Sequence, residues 1–153
     1  MKISNIMTKS VAFIRPEDTV VQAAQLMKEH NVGSIPVCRG DQVIGIITDR
    51  DIAVKAVANG SNPAMLSVGE IMSANPILGN PDMDVAEAGK LMGENQIRRL
   101  PIVESNRLVG IISLGDLAIE PMMQAKAGDI LTEVSESACV KTEFDPEAKT
   151  EQN

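Results

Sequence analysis

The sequence repeats itself at an offset of 65 residues, and this repeat restricts the folds that the chain can adopt. Residues 6–57 align with residues 71–122 without a gap. The aligned identities are Ile6-Met7 with Ile71-Met72, Pro16 with Pro81, Val20 with Val85, Ala23 with Ala88, Leu26-Met27 with Leu91-Met92, Pro36 with Pro101, Gly45-Ile46-Ile47 with Gly110-Ile111-Ile112, and Asp51 with Asp116. A unit of this size buries too little apolar surface to be stable alone. We therefore expect two units that pack about a pseudo-twofold axis and form two equivalent clefts.

Each unit begins with the pattern of a strand followed by a helix. Residues 11–14 predict a short strand, and residues 20–30 place apolar side chains at helical spacing. Thr19 and Gln22 have the spacing of a capping box at the start of this helix, and Asn31 is a typical helix-ending residue. The corresponding box in the second unit is Asp84 with Glu87.

A hairpin and a second helix complete the unit. Two apolar runs, residues 35–39 and 43–47, are joined by Gly40-Asp41 and predict a β-hairpin. A helix is predicted over residues 49–58. The unit order is β-α-β-β-α, which predicts an α/β fold with helices that cover a small sheet. The second hairpin is predicted over residues 100–103 and 108–112.

The repeat also divides the chain. We expect a first unit with its linker at residues 1–66, a second unit at residues 67–122, and a C-terminal extension at residues 123–153. Residues 122–136 are expected to form one more helix or to pack on the core. The polar, acidic residues 138–153 are expected to be disordered.

Composition excludes several classes of partner. The net charge of −7 argues against nucleic-acid binding, which requires a basic face. Phe13 and Phe144 are the aromatic residues of the sequence, so a platform that stacks single-stranded bases is not expected. The sequence has neither the apolar run of a membrane span nor the pattern of a signal peptide, and we expect a cytoplasmic protein.

One polar motif occurs in both units, where a predicted strand ends and a helix begins. Thr48 precedes Asp51 by three residues, and Ser113 precedes Asp116 by the same spacing. A hydroxyl at this position can donate a hydrogen bond to a phosphate oxygen, and the carboxylate can accept hydrogen bonds from ribose hydroxyls. The same spacing is also that of a capping box, which has a purely structural role. The motif alone leaves both interpretations open.

Basic residues differ between the two motifs. Arg98 and Arg99 precede the first hairpin strand of the second unit and suit phosphate recognition, although a solvated edge explains them equally well. The first unit has Gly33-Ser34 at this place and carries Arg50 beside its motif. Asp49 would repel a phosphate in the first unit, so the two clefts are not expected to be electrostatically equal.

No catalytic or metal-binding set is apparent in the sequence. His30 is the single histidine and falls at a predicted helix end, where a cation is favourable. Cys38 lies in an apolar run and Cys139 in the polar tail, which predicts neither a disulfide framework nor a metal cluster. We therefore predict a protein that is not an enzyme and has no cofactor.

The two units resemble CBS domains, arranged as a tandem (Bateman) pair. The resemblance covers residues 1 to about 122 and includes the phrases Gly-Ile-Ile-Thr-Asp-Arg-Asp-Ile (residues 45–52) and Ile-Arg-Arg-Leu-Pro-Ile-Val (residues 97–103). It implies stacked sheets, a homodimer, and binding of AMP, ADP or ATP between the units, with S-adenosylmethionine as a further candidate. The residues that the resemblance places around the ligand are Thr48 and Ser113 at phosphate, Asp51 and Asp116 at ribose, and Val11, Ala12, Ile35, Pro36, Ile77, Leu100 and Pro101 at adenine. Asp49 is unfavourable for a phosphate at the first of these sites.

The sequence thus leads to two functional hypotheses. The first is a regulatory module that binds an adenosine nucleotide, with Arg50, Arg98 and Arg99 near the phosphates, and that signals to an unknown protein partner. The second is a dimeric interaction scaffold with vestigial nucleotide sites, in which the two motifs serve only as helix caps.

Overall fold

The computed structural model describes residues 1–121 and 123–136. Both units contain a helix, an antiparallel hairpin and a second helix, which confirms the predicted order. The first unit contains α1 (Val20–His30), β1 (Ser34–Arg39), β2 (Gln42–Thr48) and α2 (Asp49–Asp51), which continues as a π-helical turn (Ile52–Val57). Residues 67–74, here called the linker, precede the second unit and contain α3 (Val68–Ile71) and β3 (Ser73–Ala74). The second unit and its extension contain α4 (Val85–Asn95), β4 (Arg99–Glu104), β5 (Arg107–Ser113), α5 (Leu114–Ile119) and α6 (Gln124–Glu136).

The ends of α1 follow the sequence signals. The Thr19 hydroxyl accepts a hydrogen bond from the Gln22 amide at 3.2 Å, and the Gln22 side chain accepts one from the Thr19 amide at 2.8 Å. The predicted capping box is therefore confirmed. Asn31 ends the helix in the left-handed conformation, at φ 53°.

The start of α4 differs from the prediction. One oxygen of Asp84 accepts a hydrogen bond from the Ala86 amide at 2.9 Å, and the other lies 3.1 Å from the terminal ammonium group of Met1. Asp84 is thus a helix cap, but the expected capping box with Glu87 does not form. The charge of the chain terminus, which lies beside this helix, holds the carboxylate.

The strand predicted over residues 11–14 reduces to a single parallel bridge at Ile14. The Ile14 amide donates to the Pro36 carbonyl at 3.1 Å, and the Cys38 amide donates to the Ile14 carbonyl at 2.8 Å. The next bond of a parallel ladder requires an amide hydrogen at Pro36, which proline lacks. The second unit repeats this bridge at Gly79, beside Pro101.

Each unit completes its core with a segment from the other half of the chain. Ile3 is fully buried in the core of the second unit, and its amide donates to the Met83 carbonyl at 2.9 Å. Val68 and Ile71 of α3 are buried in the core of the first unit. The segments before the two units, residues 1–8 and 67–74, are therefore exchanged between them.

The backbone bridges of the two halves are related by the same offset as the sequence repeat. The paired bridges are Lys2–Asp84 with Thr19–Ser67, Ile14–Val37 with Gly79–Ile102, and Thr8–Ile111 with the β3 pairing Ser73–Ile46. The residue numbers in each pair of bridges differ by 65. This correspondence confirms the pseudo-twofold arrangement of the two units.

Two glycines, one in β2 and one in β5, permit the exchanged segments to lie against these two strands. A Cβ atom on Gly45 would lie 2.6 Å from the Met72 sulfur and 2.9 Å from the Ser73 carbonyl oxygen. A Cβ atom on Gly110 would lie 2.5 Å from the Met7 sulfur and 3.1 Å from the Thr8 carbonyl oxygen. Methionine can move its flexible end, but a paired backbone carbonyl moves less readily, so a side chain at either position would press against the exchanged segment.

The C-terminal helix α6 packs on the second unit alone. Its side chains Ile130 and Val134 join the core of that unit, so these residues both form a helix and pack on the core. The helix lies over Gly89 and Gly93 of α4, where a Cβ would collide with the Ile130 and Glu133 side chains.

Some sequence-based expectations fall outside the described residues. These are the disorder predicted for residues 138–153 and the environments of Cys139 and Phe144. Within residues 1–121 and 123–136, no helix combines the length and the hydropathy that a membrane crossing requires.

We predict that Gly110→Ala destabilises the protein by about 1–3 kcal/mol, because the added methyl group overpacks the contact with residues 7 and 8. Chemical denaturation measures the change. Gly128→Ala is the matched control, since a Cβ at Gly128 in α6 meets no atom within 4 Å. Alanine there is expected to be neutral or to stabilise by up to about 1 kcal/mol. Equal effects of the two substitutions would contradict the close approach at Gly110.

A second prediction concerns Cys38, which is 2% exposed. Burial, with a smaller effect of the Asp41 charge, raises the pKa of its thiol to about 11. The folded state therefore holds the proton more tightly than the unfolded state. We expect Cys38 in a Cys139→Ser variant to react slowly with thiol reagents near pH ~8. The unfolding free energy relative to Cys38→Ala is expected to decline as the pH rises from about 8.5, the ordinary thiol pKa, towards 11. A difference in unfolding free energy from Cys38→Ala that does not change with pH would contradict the raised pKa of Cys38.

Candidate functional site

The two repeated motifs lie at equivalent ends of the two hairpins. Ser34 pairs with Thr48 across the first hairpin, and the Asp49 amide donates to the Gly33 carbonyl at 2.9 Å. In the second unit, Arg99 pairs with Ser113, and the Leu114 amide donates to the Arg98 carbonyl at 2.9 Å. The fold therefore brings the start of each hairpin beside the start of the following helix, as the candidate sites require.

In the first unit, Thr48 and Asp51 form a complete capping box. The Asp51 amide donates to the Thr48 hydroxyl at 3.1 Å, and Asp51 Oδ2 accepts from the Thr48 amide at 3.0 Å. Asp51 is 9% exposed and its Oδ1 lies 3.2 Å from Lys55 Nζ. Both oxygens of this carboxylate are thus engaged by the protein.

The second unit has the same capping box, but fewer protein groups bind its carboxylate. Asp116 Oδ2 accepts from the Ser113 amide at 2.7 Å, and the Asp116 amide donates to the Ser113 hydroxyl at 3.1 Å. Within residues 1–121 and 123–136, Asp116 Oδ1 accepts no hydrogen bond and has no ion pair. Asp116 is half-buried, and this oxygen is free to accept a hydrogen bond from a ligand.

The apolar residues expected around adenine have different exposures. Ala12 and Ile77 are half-buried, as is Val11. These segments lie beside β1 and β4, because the bridges at Ile14 and Gly79 hold the chain there. The remaining apolar candidates are buried in the strands, namely Ile35, Pro36, Leu100 and Pro101. Ile35 and Leu100 are 1% and 0% exposed, so these buried side chains present almost no surface to a ligand.

Charges differ between the two sites as the sequence predicts. Arg98 is exposed and Arg99 is half-buried, and neither has a carboxylate within 4.0 Å among the residues that the structure describes. Arg50 is also exposed, but its neighbour Asp49 places a carboxylate directly against Gly33. The second unit therefore presents two unneutralised guanidinium groups, while the first presents mixed charges.

A buried hydroxyl at the first site has no partner. Ser34 Oγ is enclosed and makes no hydrogen bond in the described part of the chain. Buried polar atoms are nearly always satisfied in native proteins, by protein, water or ligand. Ser34 is the strand partner of Thr48, so this unsatisfied atom belongs to the candidate site of the first unit.

Two cavities of about 100 Å³ lie away from the helix-start motifs. One is lined by residues that include Met1, Asp84 and Lys126, and the other by residues that include Phe13 and Leu108. Sites for small molecules typically occupy about 300–1,000 Å³. These cavities are too small for a nucleotide, although Val11, one of the apolar candidates, lines the second.

Groups with catalytic potential are not assembled in the described residues. His30 is exposed at the end of α1, and Cys38 is buried. Among residues 1–121 and 123–136, no cluster of three or more histidine, cysteine, aspartate or glutamate side chains is arranged to hold a metal ion.

Sequence reasoning missed Lys55, which contacts Asp51 and donates to the Ile71 carbonyl at 3.1 Å. The i,i+4 spacing of Asp51 and Lys55 is a signal for the ion pair. The contact with Ile71 has no sequence signal, because it depends on the exchange of segments between the units.

Comparison with known proteins agrees with this architecture. The family model for the CBS domain matches residues 3–57 and 68–121. The CBS domain-containing protein YhcV of Bacillus subtilis is 47% identical over 133 residues, which cover 87% of this chain and 94% of YhcV. Hypoxic response protein 1 of Mycobacterium tuberculosis is 35% identical over 115 residues, covering 74% of this chain and 80% of that protein.

Solved structures are similar as well. A crystal structure of hypoxic response protein I with two coordinated zinc ions has a TM-score of 0.72 and 33% identity, and covers 78% of this chain and 98% of that one. A hexameric CBS-CP12 protein from bloom-forming cyanobacteria has a TM-score of 0.71 and 27% identity, and covers 91% of this chain and 99% of that one. The repeat, the exchanged segments and these similarities lead to one conclusion: the chain belongs to the CBS domain family and carries two CBS domains in tandem.

Proposed function

We propose that this CBS pair is a regulatory module that binds an adenosine nucleotide, AMP, ADP or ATP, in the clefts between the two units. CBS pairs form a family of regulatory and sensing modules, which supports the general role. The observation that carries the proposal is in the second unit, where the backbone of Arg98 and Arg99 pairs with that of Leu114 and Ser113 at the start of α5. S-adenosylmethionine shares the adenosine group and is a further candidate.

In the second unit each part of a nucleotide has a matching group. The guanidinium groups of Arg98 and Arg99 suit the phosphates, since arginine forms bidentate hydrogen bonds with phosphate oxygens. The free oxygen of Asp116 suits a ribose hydroxyl. Half-buried Ile77 offers aliphatic surface to adenine, whereas Leu100 and Pro101 lie buried in β4. Gly115 adds no side chain that would obstruct approach.

The first unit is the weaker candidate for a phosphorylated ligand. Thr48, Asp51 and Arg50 repeat the polar pattern, and Val11, Ala12, Ile35 and Pro36 repeat the apolar one. Asp49 adds a negative charge where the second unit has Leu114. Electrostatic repulsion therefore disfavours a phosphate at this site.

We propose binding without turnover, in the cytoplasm, with the signal passed to a protein partner. A ligand changes the population of two arrangements only if it binds them with different affinity. We further propose a homodimer. It is supported by Val54 and Ile119, apolar residues at equivalent positions that are 48% and 74% exposed.

The test is calorimetric titration with AMP, ADP, ATP, S-adenosylmethionine and NAD, each alone. We expect one adenosine nucleotide to bind at the second unit, and Asp116→Ala to weaken it at least about tenfold. A hydrogen bond to a charged group contributes about 1.5–3 kcal/mol. Arg99→Ala is expected to weaken the binding of nucleotides but not the binding of adenosine, which lacks phosphate. Asp51→Ala is expected to weaken nucleotide binding less than Asp116→Ala does.

Asp82→Ala is the matched control, because Asp82 is exposed and pairs only with Lys2. Denaturation of each variant separates affinity from stability, since loss of the cap at Asp116 costs about 1 kcal/mol. Loss of stability in Asp116→Ala with unchanged nucleotide affinity would contradict the proposal. No binding of any of the five ligands would instead support a dimeric scaffold with vestigial sites.

A further inference from the structure

Lys55 makes two contacts that join the candidate site of the first unit to the linker. Its ammonium group lies 3.2 Å from Asp51 Oδ1 and donates to the Ile71 carbonyl at 3.1 Å. Asp51 Oδ2 is already bound by the Thr48 amide. The carboxylate that a ribose would use is therefore held on both oxygens.

The contact with Ile71 is unusual because the residue comes from the exchanged segment. Ile71 is the last residue of α3, and its side chain is 5% exposed within the core of the first unit. Lysine side chains near helix C-termini favourably bind the unpaired carbonyls there. Lys55 reaches this carbonyl from the π-helical turn that follows α2, so one side chain connects the site to the linker helix.

The second unit has no equivalent of this lysine. The residue 65 positions later is Glu120, which follows the end of α5 in an extended conformation, at φ −76° and ψ 122°. Asp116 thus keeps an oxygen without a partner among the described residues. The two sites share their capping boxes but differ in whether the carboxylate is available.

We propose that Lys55 is a specificity-determining residue: it holds the Asp51 carboxylate and restricts the first site to weak binding, so that the second unit is the one that binds ligand. The proposal rests on the proposed function, since it concerns adenosine binding at the same pair of sites. A ribose hydroxyl must compete with an ammonium group for Asp51 Oδ1, and the ammonium group also binds the linker. The Ser34 hydroxyl, which is buried and has no hydrogen-bond partner among the described residues, is a further polar group at the first site.

The experiment titrates adenosine into Asp116→Ala protein that carries Lys55, Lys55→Met or Lys55→Arg. Adenosine is the probe because it lacks phosphate, which removes the effect of Asp49. We expect Lys55→Met to bind adenosine about fivefold more tightly than its parent, the size expected of a partly exposed ion pair. Lys55→Arg keeps the charge and is expected to behave as the parent does.

Lys90→Met is the matched control, because Lys90 forms an exposed ion pair with Glu94 on α4, at the same i,i+4 spacing. Hydrogen exchange supplies a second readout. Lys55→Met is expected to speed exchange of amides in residues 67–75 but not in residues 1–8. A structural role alone would give this faster exchange without the gain in affinity.

The outcomes are distinguishable. Adenosine affinity of Lys55→Met equal to or below that of its parent overturns the role of Lys55, while binding by the unaltered protein leaves the proposed function in place. If the unaltered protein binds none of the adenosine ligands and Lys55→Met does not bind adenosine, both proposals are overturned. If only Lys55→Met binds, the restriction of the first site by Lys55 is supported and binding at the second unit is overturned.

Discussion

The close approach of the exchanged segments to β2 and β5 is the contact on which the rest of the structure depends. Gly45 and Gly110 admit the backbone of residues 73 and 8 at distances that a side chain would prevent. The exchange in turn places Ile3 in the second core and Val68 in the first. Neither unit has a complete core without the other, which couples their folding and fixes their mutual orientation.

Two prolines then shape the edges of the candidate sites. Pro36 and Pro101 end each parallel pairing after one bridge, because proline has no amide hydrogen to donate. The chain before each bridge is consequently free of the sheet and lies half-buried beside the helix start. The capping boxes at Thr48 and Ser113 hold those helix starts rigidly. The structural and the binding interpretation of the motif are therefore compatible, because a cap can fix the carboxylate that a ligand uses.

Symmetry of the backbone does not extend to the chemistry of the two halves. Lys55 engages Asp51, whereas Asp116 Oδ1 has no partner among the described residues, and the second site has Arg98 and Arg99 where the first has Arg50 beside Asp49. The helix α6 covers only the second unit, over Gly89 and Gly93. The two halves thus differ in which polar groups lie at the helix start, and only the lysine of the first half contacts the linker in the described residues. A duplicated fold can divide its roles in this way with few substitutions.

The sequence by itself determined the repeat, the α/β class, the hairpins, most helix starts and the charge difference between the sites, because these depend on local spacing and on residue type. It overestimated the strand at residues 11–14 and the capping box at Asp84, where a proline in a partner strand and a distant chain terminus decide the outcome. It did not indicate the role of Lys55. Only the tertiary structure decided the exchange of segments and the contact between Lys55 and Ile71, since both join residues whose proximity no local pattern encodes.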